Sequence, residues 1–473
     1  MSDTEGKHKV RWYRSTLYCA FLVSIVGFLG PGMYNALNGL GAGGGVHPDI
    51  SNAANAIIYG IISSSSYFVA ALANRITPKY TLLIGTLGST PYAAGLYCND
   101  RYGTNWLLLF GSVLSGFTST FLWVGTGSIL LAYTEEKRKG TAVSLKFAMG
   151  SIGACVGDAI SLALNVERNY RGSVSNATYI TLMTLISLGF PFALLMPTAK
   201  RVERTDGRAV VLHKQASIAK EFRVLKGIFS QARIWALIPL IIYSLWWVSY
   251  VWGYNYENFN VRTRALNSFL FAICGLISAL SMGQLLDNPR WKRRTRARVG
   301  FVVVTILTSL GWILALAVQV HYTKTKPTID WTDKAYGVGG LVQCLFGFNY
   351  PLVTVYLYWL VGSFSNDLNE TTFLAATLNG VACLGSTFGF VISVKEFSAV
   401  GACAIILALY LISVPPAAWV AFTQVAETTH GIHLSGDANF EGSEAEDARE
   451  RSIDDNSDEL KGSSMVAVAE KSV

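Results

Sequence analysis

The residues of this chain that are most able to do chemistry are polar side chains placed inside long apolar stretches. Asn35 and Asn38 follow the sequence Gly30-Pro31-Gly32 and lie one helical turn apart on a shared helix face. A proline at this depth frees a backbone carbonyl, which in a membrane must be satisfied by a neighbouring helix or by water. The two amides also need partners. They therefore either join helices together or line a central polar pathway.

Asp158 is the sharpest single candidate in the sequence. It follows Gly153 and Gly157 in one apolar stretch, and their spacing lets a second helix approach closely. A carboxyl group at that depth is a candidate proton-coupling or cation site. The alternative is a position near the outer end of the helix, where it pairs or meets water. Lys146 lies about three turns away on the same helix, too far to pair with Asp158. We expect its ammonium group to snorkel to the cytoplasmic interface.

Further amides occur in the second half of the chain. Asn349 lies beside Pro351 and so repeats the arrangement of an amide next to a broken helix. With Asn379 it is a candidate for the lining of a cavity. Asn255 opens a dense polar cluster, in which three charged residues are the candidate outer gate: Glu257, Arg262 and Arg264. A purely structural surface network is the alternative for this cluster. The candidate pathway therefore comprises Asn35, Asn38, Asp158, Asn255, Asn349 and Asn379.

Other chemistries find no support in the sequence. The glycine run at 41–45 lacks the Lys-Ser/Thr that a phosphate-binding loop requires. The seven cysteines are scattered and form no CxxC or Cys/His cluster, so neither a disulfide framework nor a zinc site is indicated. The net charge of +8 comes from lysines and arginines in short loops, which is no nucleic-acid signature. We therefore expect no catalytic residues, no cofactor, no metal, no nucleic-acid partner and no enzymatic activity.

The elements that must position these residues are membrane-spanning helices. Of the 473 residues, 51% are hydrophobic and 14% are charged, against about 25% charged in soluble proteins. Apolar windows of roughly 20 residues, the length that crosses a bilayer, recur twelve times. We number these spans in chain order: 17–37, 51–73, 81–98, 106–132, 141–165, 177–196, 234–255, 268–286, 299–320, 336–361, 373–393 and 399–422.

The longest internal loop divides the spans into six plus six. The predicted units are an N-terminus at 1–15, a six-helix half at 16–197, a linker at 198–232, a second six-helix half at 233–423 and an acidic tail at 424–473, which we expect to be disordered. Within the linker, apolar residues at helical spacing alternate with lysines and arginines. This pattern predicts a basic amphipathic helix that lies either on the inner membrane surface or against the bundle.

The distribution of lysine and arginine predicts the orientation of the chain. Basic residues concentrate in the loops on the side of the two termini, so we expect both termini to be cytoplasmic. Asn176 begins an Asn-Ala-Thr sequon that falls outside in this arrangement and is a possible glycosylation site. The plasma membrane and a vacuolar or endosomal membrane are both compatible with the sequence.

A repeated loop carries a family resemblance. The stretch from Ala70 to Lys79 after the second span and the stretch from Gly283 to Arg294 after the eighth both give a small residue, spaced positions, an Asp or Asn, and then basic residues. This resembles the Gly-x-x-x-Asp loop motif of the major facilitator superfamily. The resemblance implies a latch that holds the two halves together at the cytoplasmic face, formed by Asn74, Arg75, Asp287, Lys292 and Arg293. The first copy is degenerate, since Ala70 replaces Gly and Asn74 replaces Asp.

Longer stretches resemble one branch, the Unc-ninety-three-like proteins, and in particular their fungal members. They are the Gly30–Gly41 segment of the first span, Tyr133–Gly140 after the fourth and Tyr254–Asn267 after the seventh. The resemblance covers residues 10–425. It implies an all-α membrane protein with twelve transmembrane helices in two six-helix halves, the major facilitator fold.

The branch implies two different functions. One is transport of a small solute or ion across the lipid bilayer by alternating access, with proton or cation coupling. The alternative is a non-transporting regulator that binds an ion channel or escorts another membrane protein.

Overall fold

The structure is a computed structural model that describes residues 11–40, 48–134, 138–165, 174–198, 201–203, 218–325, 327–365, 368–393 and 397–427. Eleven helices within these ranges are long and apolar enough to cross a membrane. They are Thr16–Gly39, Asp49–Ala73, Asn105–Ser128, Gly140–Asn165, Asn176–Leu194, Ala232–Asn258, Val261–Leu286, Arg293–Thr325, Tyr336–Gly362, Glu370–Ser393 and Ala399–Thr423. Apart from helices, the described residues contain two isolated β-bridges, Ser15 with Glu203 and Phe259 with Ile329.

The remaining span, the third, is built from two shorter helical pieces. The helix Pro48–Gly85 contains a sharp turn at Thr77, where φ is 70°, directly before Pro78. A residue before proline is pushed out of the α-helical region, so the helix is interrupted there. Residues 78–85 then lead into the helix Ser89–Tyr102. With this broken span the chain has the twelve-helix arrangement that the sequence predicts.

The first span is not a continuous α-helix. It consists of the α-helix Thr16–Gly27, a wider π-helical turn at Phe28–Gly32 that contains Pro31, and the α-helix Met33–Gly39. The fifth span fits against this wide turn because it carries Gly153 at the contact. A Cβ atom at Gly153 would lie 2.3 Å from the carbonyl oxygen of Phe28. The small-residue face of the fifth span therefore receives the first span.

The two six-helix halves meet along two pairs of helices. The fifth span packs against the eighth, where a Cβ atom at Gly283 would lie 2.2 Å from Ser144 Oγ. The second span packs against the eleventh, where the rings of Tyr59 and Phe390 stack with centroids 5.6 Å apart. The residues that face this seam come from both halves, so a space left along it is shared between them.

A separate helix, Ile218–Phe229, precedes the seventh span. Its residues Val224 and Ile228 are buried in the same core cluster as the C-terminal half, and the ring of Phe229 contacts that of Tyr67. Phe222 is exposed on another face. Of the two placements that the sequence leaves open, the structure therefore shows the helix docked against the bundle. Residues 199–200 and 204–217 of the predicted linker and nearly all of the acidic tail lie outside the described residues.

Candidate functional site

Two adjoining cavities lie between the halves. They contain about 910 and 1020 Å³ of space not filled by protein atoms and share part of their lining, including Pro31, Asn35 and Tyr350. The first cavity extends toward Tyr358 and Asn379 of the C-terminal half. The second extends along the fifth span and reaches Lys146 and Asp158. The wide turn at Pro31 thus faces this space, where water can reach the carbonyl that the proline leaves without a donor.

Three of the six candidate pathway residues line these cavities. Asn35 lines both of them. Asn379 lines the first cavity, and its Oδ1 accepts a 2.7 Å hydrogen bond from the Tyr358 hydroxyl. Asp158 lines the second cavity and is 2% exposed, and its Oδ1 has no hydrogen-bond partner among the described residues. An acid without a partner at this depth is held in the least favourable setting for a charge, which makes it a functional candidate.

The other three lie outside both cavities and pack between helices. Asn38 accepts hydrogen bonds from Tyr92 Oη (3.0 Å) and Asn55 Nδ2 (3.3 Å), and so joins the first three spans. Asn349 faces the ninth span, since a Cβ atom at Gly311 would lie 2.6 Å from its Nδ2. Asn255 lies at one end of the bundle and is described below. Residues on one helix face can contact either a neighbouring helix or a cavity. The sequence pattern alone does not tell which of the two a given residue contacts.

Lys146 departs from its expected position. It does not reach an interface: the residue is 5% exposed and lines the second cavity. Its Nζ lies over the aromatic rings of Trp123, Phe147 and Tyr358, at 4.4, 4.8 and 4.9 Å from their centroids. The prediction of snorkelling was wrong because these rings come from the fourth and tenth spans as well as its own. Only the folded bundle brings them together around the ammonium group.

The end of the bundle that carries residues 74–80, 138–141 and 287–298, here the basic end, is closed by Asp287. Its carboxylate accepts hydrogen bonds from the backbone N–H of Gly140 (3.1 Å), from the Thr141 backbone N–H and from Thr141 Oγ1 (2.6 Å). Asp287 ends the eighth span, and Gly140 and Thr141 begin the fifth. The carboxylate therefore joins the two halves and complements the positive end of a helix dipole. We call this contact the basic closure.

The electrostatics of the basic closure differ from the latch that the family resemblance implies. Burial raises the pKa of Asp287, although its hydrogen bonds and the neighbouring Arg296 act in the opposite direction. Lys292 is exposed, and the backbone N–H of Arg293 donates instead to Glu427. Arg75 is exposed, and the side chain of Asn74 lies outside the described residues. Asp287 thus accepts its hydrogen bonds from a helix N-terminus, and Arg296 is the basic residue close to its carboxylate.

The opposite end of the bundle, where residues 99–105, 174–176 and 258–263 lie, is joined by an amide. Asn255 Nδ2 donates to the carbonyl oxygen of Gly39 at 3.1 Å, which links the seventh span to the first. Its Oδ1 accepts from Asn267 Nδ2 at 2.9 Å, and the Tyr336 hydroxyl donates to Asn267 in turn. We call this contact the amide closure. It uses neutral groups where the basic closure uses a carboxylate.

The three candidate outer-gate residues occupy different environments. Arg262 forms an ion pair with Asp330, in the loop between the ninth and tenth spans, and this partner keeps the pKa of Asp330 well below its usual range. Arg264 is buried and lies over the ring of Tyr256 at 4.9 Å. Glu257 is exposed. Asp330 was missed because it lies 68 residues from Arg262 and nothing local links the two.

Asn176 is the first residue of the sixth span and is exposed. The threonine of its sequon, Thr178, is buried and receives a hydrogen bond from Asn165 Nδ2 at 3.1 Å. The sequon therefore begins a helix instead of lying in an extended loop. Glycosylation at Asn176 stays a prediction.

Comparison with known proteins agrees with this architecture. The sequence model of the Major Facilitator Superfamily matches residues 15–389. The human organic anion transporter MFSD10 (TETRAN) superposes with a TM-score of 0.59 at 11% identity, over 85% of this chain and 99% of that one. The transporter FucP in its outward conformation gives 0.54 at 13% identity, over 84% and 98%. At such identities these structures show the fold alone, which is that of a membrane transporter.

The chain belongs to the major facilitator superfamily. Among its relatives are the Notoamide biosynthesis cluster protein O' of Aspergillus versicolor, 30% identical over 414 residues (87% of this chain and 90% of the relative), and a UNC93-like protein of Schizosaccharomyces pombe, 28% identical over 438 residues (90% and 86%). UNC93-like protein 1 of Arabidopsis thaliana is 25% identical over 398 residues (82% and 86%). The predicted resemblance to the Unc-ninety-three-like branch is confirmed by these relatives, which come from a fungus and from a plant.

Proposed function

We propose that this protein transports a small solute across the membrane by alternating access, with the two cavities as the substrate site. The observation that carries the proposal is the position of these cavities between the halves, with lining from both. A ligand bound there contacts both halves at once. Rocking of one half against the other then exposes it first at one end and then at the other. In this proposal the basic end faces the cytoplasm, since it collects the loop lysines and arginines.

Both ends of the structure carry a contact between the halves. The basic closure joins the eighth span to the fifth, and the amide closure joins the seventh to the first. The basic closure has three hydrogen bonds between the halves and the amide closure has one, so each is weak enough to break during a transport cycle. This arrangement supports an occluded intermediate, from which either end opens when its own closure is released.

Coupling to protons or another cation is assigned in this proposal to Asp158. Its carboxyl group lines the second cavity, is 2% exposed and has an oxygen without a hydrogen-bond partner among the described residues. A buried acid of this kind gains or loses a proton with a change in its surroundings, as carriers that couple transport to protons require. Asp158→Asn keeps the shape of the side chain and removes the titration. Uptake that keeps its pH dependence in this variant would contradict the coupling.

The transport proposal is tested by filling the cavity. Ala382 lines the first cavity and is 6% exposed, so Ala382→Phe places a ring in the substrate space. Leu384 is two residues further along the same helix and 38% exposed, so Leu384→Phe is a matched control on the outer face. We expect the intracellular level of at least one solute to change on overproduction of the wild type and of Leu384→Phe, but not of Ala382→Phe. A metabolite profile that does not distinguish the two variants would contradict the proposal.

The same strains test the alternative, a regulator that binds another membrane protein. Such a regulator does not need to bind a solute in the cavity in order to function. Solute levels that do not respond to any of the variants, together with a co-purifying membrane protein that is lost in one of them, would favour the regulator over the carrier.

A further inference from the structure

The ammonium group of Lys146 is built into the wall of the second cavity, and no side chain among the described residues forms an ion pair with it. Its Nζ is buried and has no hydrogen-bond partner among the described residues. The ring faces of Trp123, Phe147 and Tyr358 surround it at less than 5 Å from their centroids. Ring faces attract a cation electrostatically but offer no lone pair to its three N–H donors. The cage therefore holds the cation in place and leaves its donors available.

The acidic residues of the surroundings are placed so that they do not neutralise Lys146. Asp158 lies on the same helix, twelve residues away, which corresponds to about 18 Å along the helix axis. Asp287 is engaged by Gly140 and Thr141 at the start of that helix. Among the described residues that line the two cavities, Lys146 is the one basic side chain. A buried charge without a partner is unfavourable, so a negative group that enters the cavity gains by meeting it.

The remaining lining indicates what kind of molecule carries that negative group. Aromatic side chains make up much of the wall next to the cage, among them Tyr59, Trp247 and Tyr350. Such walls favour a flat or apolar body over a heavily hydrated one. One cation balances one negative charge. The cavity therefore suits a small organic monoanion better than a polyanion such as a nucleotide or a sugar phosphate.

We infer that the substrate site binds a small organic monoanion with an apolar body. Its carboxylate or equivalent group accepts hydrogen bonds from the ammonium group of Lys146, within the aromatic cage of Trp123, Phe147 and Tyr358. The inference deepens the proposed function, since it rests on these cavities being the substrate site. Tyr358 belongs to the C-terminal half and Trp123 to the N-terminal half. Binding at Lys146 is thus sensitive to the relative position of the halves.

The inference is tested by equilibrium binding to the purified full-length protein in detergent. The probes are benzoate, phenylacetate and indole-3-acetate, each compared with its neutral amide, and the readout is the shift in melting temperature with ligand concentration. We expect at least one acid to bind about tenfold or more tightly than its amide, because a charge-assisted hydrogen bond replaces a neutral one. Lys146→Gln should remove this preference, and Lys146→Arg should retain it. Lys324→Gln, at an exposed lysine near the end of the ninth span, is the control and should bind as the wild type does.

Three results would overturn the inference. The first is that the acids and amides bind the wild type equally well, and the second is that none of them binds. The third is that Lys146→Gln retains the preference for the acid. Should Lys146→Gln fail to fold, the comparison of acid with amide on the wild type and on Lys146→Arg decides the question without it.

Failure of this inference is distinguishable from failure of the transport proposal. Binding at equilibrium needs no transport, so anion binding without any change in solute levels on Ala382→Phe would sustain the inference and contradict the carrier. A neutral solute whose level depends on Ala382 but not on Lys146 would support the carrier and contradict the inference.

Discussion

The two ends of the bundle are held together by different chemistry. At the basic end a carboxylate, Asp287, accepts three hydrogen bonds from the first residues of the fifth span. At the opposite end an amide, Asn255, donates one hydrogen bond to the Gly39 carbonyl of the other half. Hydrogen bonds to charged groups contribute roughly 1.5–3 kcal/mol each, against about 0.5–1.5 kcal/mol for neutral ones. On these bonds alone, we expect the opposite end to open more easily than the basic end, and the proposed carrier to favour access from the opposite end.

The largest effect is expected from Asp287→Ala, which removes the whole basic closure. We expect the basic end to open more often, with about a tenfold or greater rise in the maleimide labelling rate of a cysteine placed at Ser144, since 1.4 kcal/mol corresponds to a factor of ten. Ser144 lies in the seam beside Gly283, so it is reached only when the halves separate there. The measurement uses a background in which the seven native cysteines are replaced.

The control for this variant is Arg262→Gln. It removes an ion pair to Asp330 that lies within the C-terminal half and crosses no seam. Labelling at position 144 should stay at the parent rate. An equal rise in both variants would mean that lost stability, and not release of the closure, exposes the site.

A smaller effect is expected from Asn255→Ala at the opposite end. The variant loses a neutral bond to the Gly39 carbonyl, so we expect a rise of several-fold in the labelling of a cysteine at Ser268, next to Gly39. Labelling at position 144 should fall or stay unchanged, because the two ends compete. A rise at 268 that equals or exceeds the Asp287→Ala effect at 144 would reverse the ranking of the closures.

The smallest effect on either closure is expected from Asp158→Asn. Asp158 lines the cavity and takes part in neither closure, so labelling at positions 144 and 268 should match the parent. Uptake at different pH values should nonetheless lose its pH dependence. Altered labelling without any change in the pH dependence of uptake would mean that Asp158 has a structural role and not a role in coupling.

Much of the fold was predictable because the membrane imposes a simple pattern. Apolar windows located all twelve spans, and the longest internal loop divided them into two halves. The ends of spans were less accurate: the ninth is Arg293–Thr325, longer than the predicted 299–320, because its helix continues past the apolar core into charged residues. The break within the third span at residues 86–88, between the helix that ends at Gly85 and the helix Ser89–Tyr102, was not visible to hydropathy.

The site was predictable only as far as single helices determine it. The amides Asn35 and Asn379 and the acid Asp158 do line the cavities, whereas Asn38 joins helices through Tyr92. All are polar residues in apolar spans, and only the rotation of each helix within the bundle separates them. The cage around Lys146 needs rings from the fourth, fifth and tenth spans. No pattern local to Lys146 announces those partners.

Alternating access is tested most directly by measuring both ends of one molecule. Spin labels at Tyr80 and Arg290 report the basic end, and labels at Tyr102 and Lys334 report the opposite end; all four residues are exposed. Distances between each pair are measured in lipid for the wild type, Asp287→Ala and Asn255→Ala. Alternating access predicts that Asp287→Ala lengthens the basic-end distance without lengthening the other, and that Asn255→Ala does the opposite. Distances that stay fixed in every variant, or that lengthen at both ends together, would contradict alternating access.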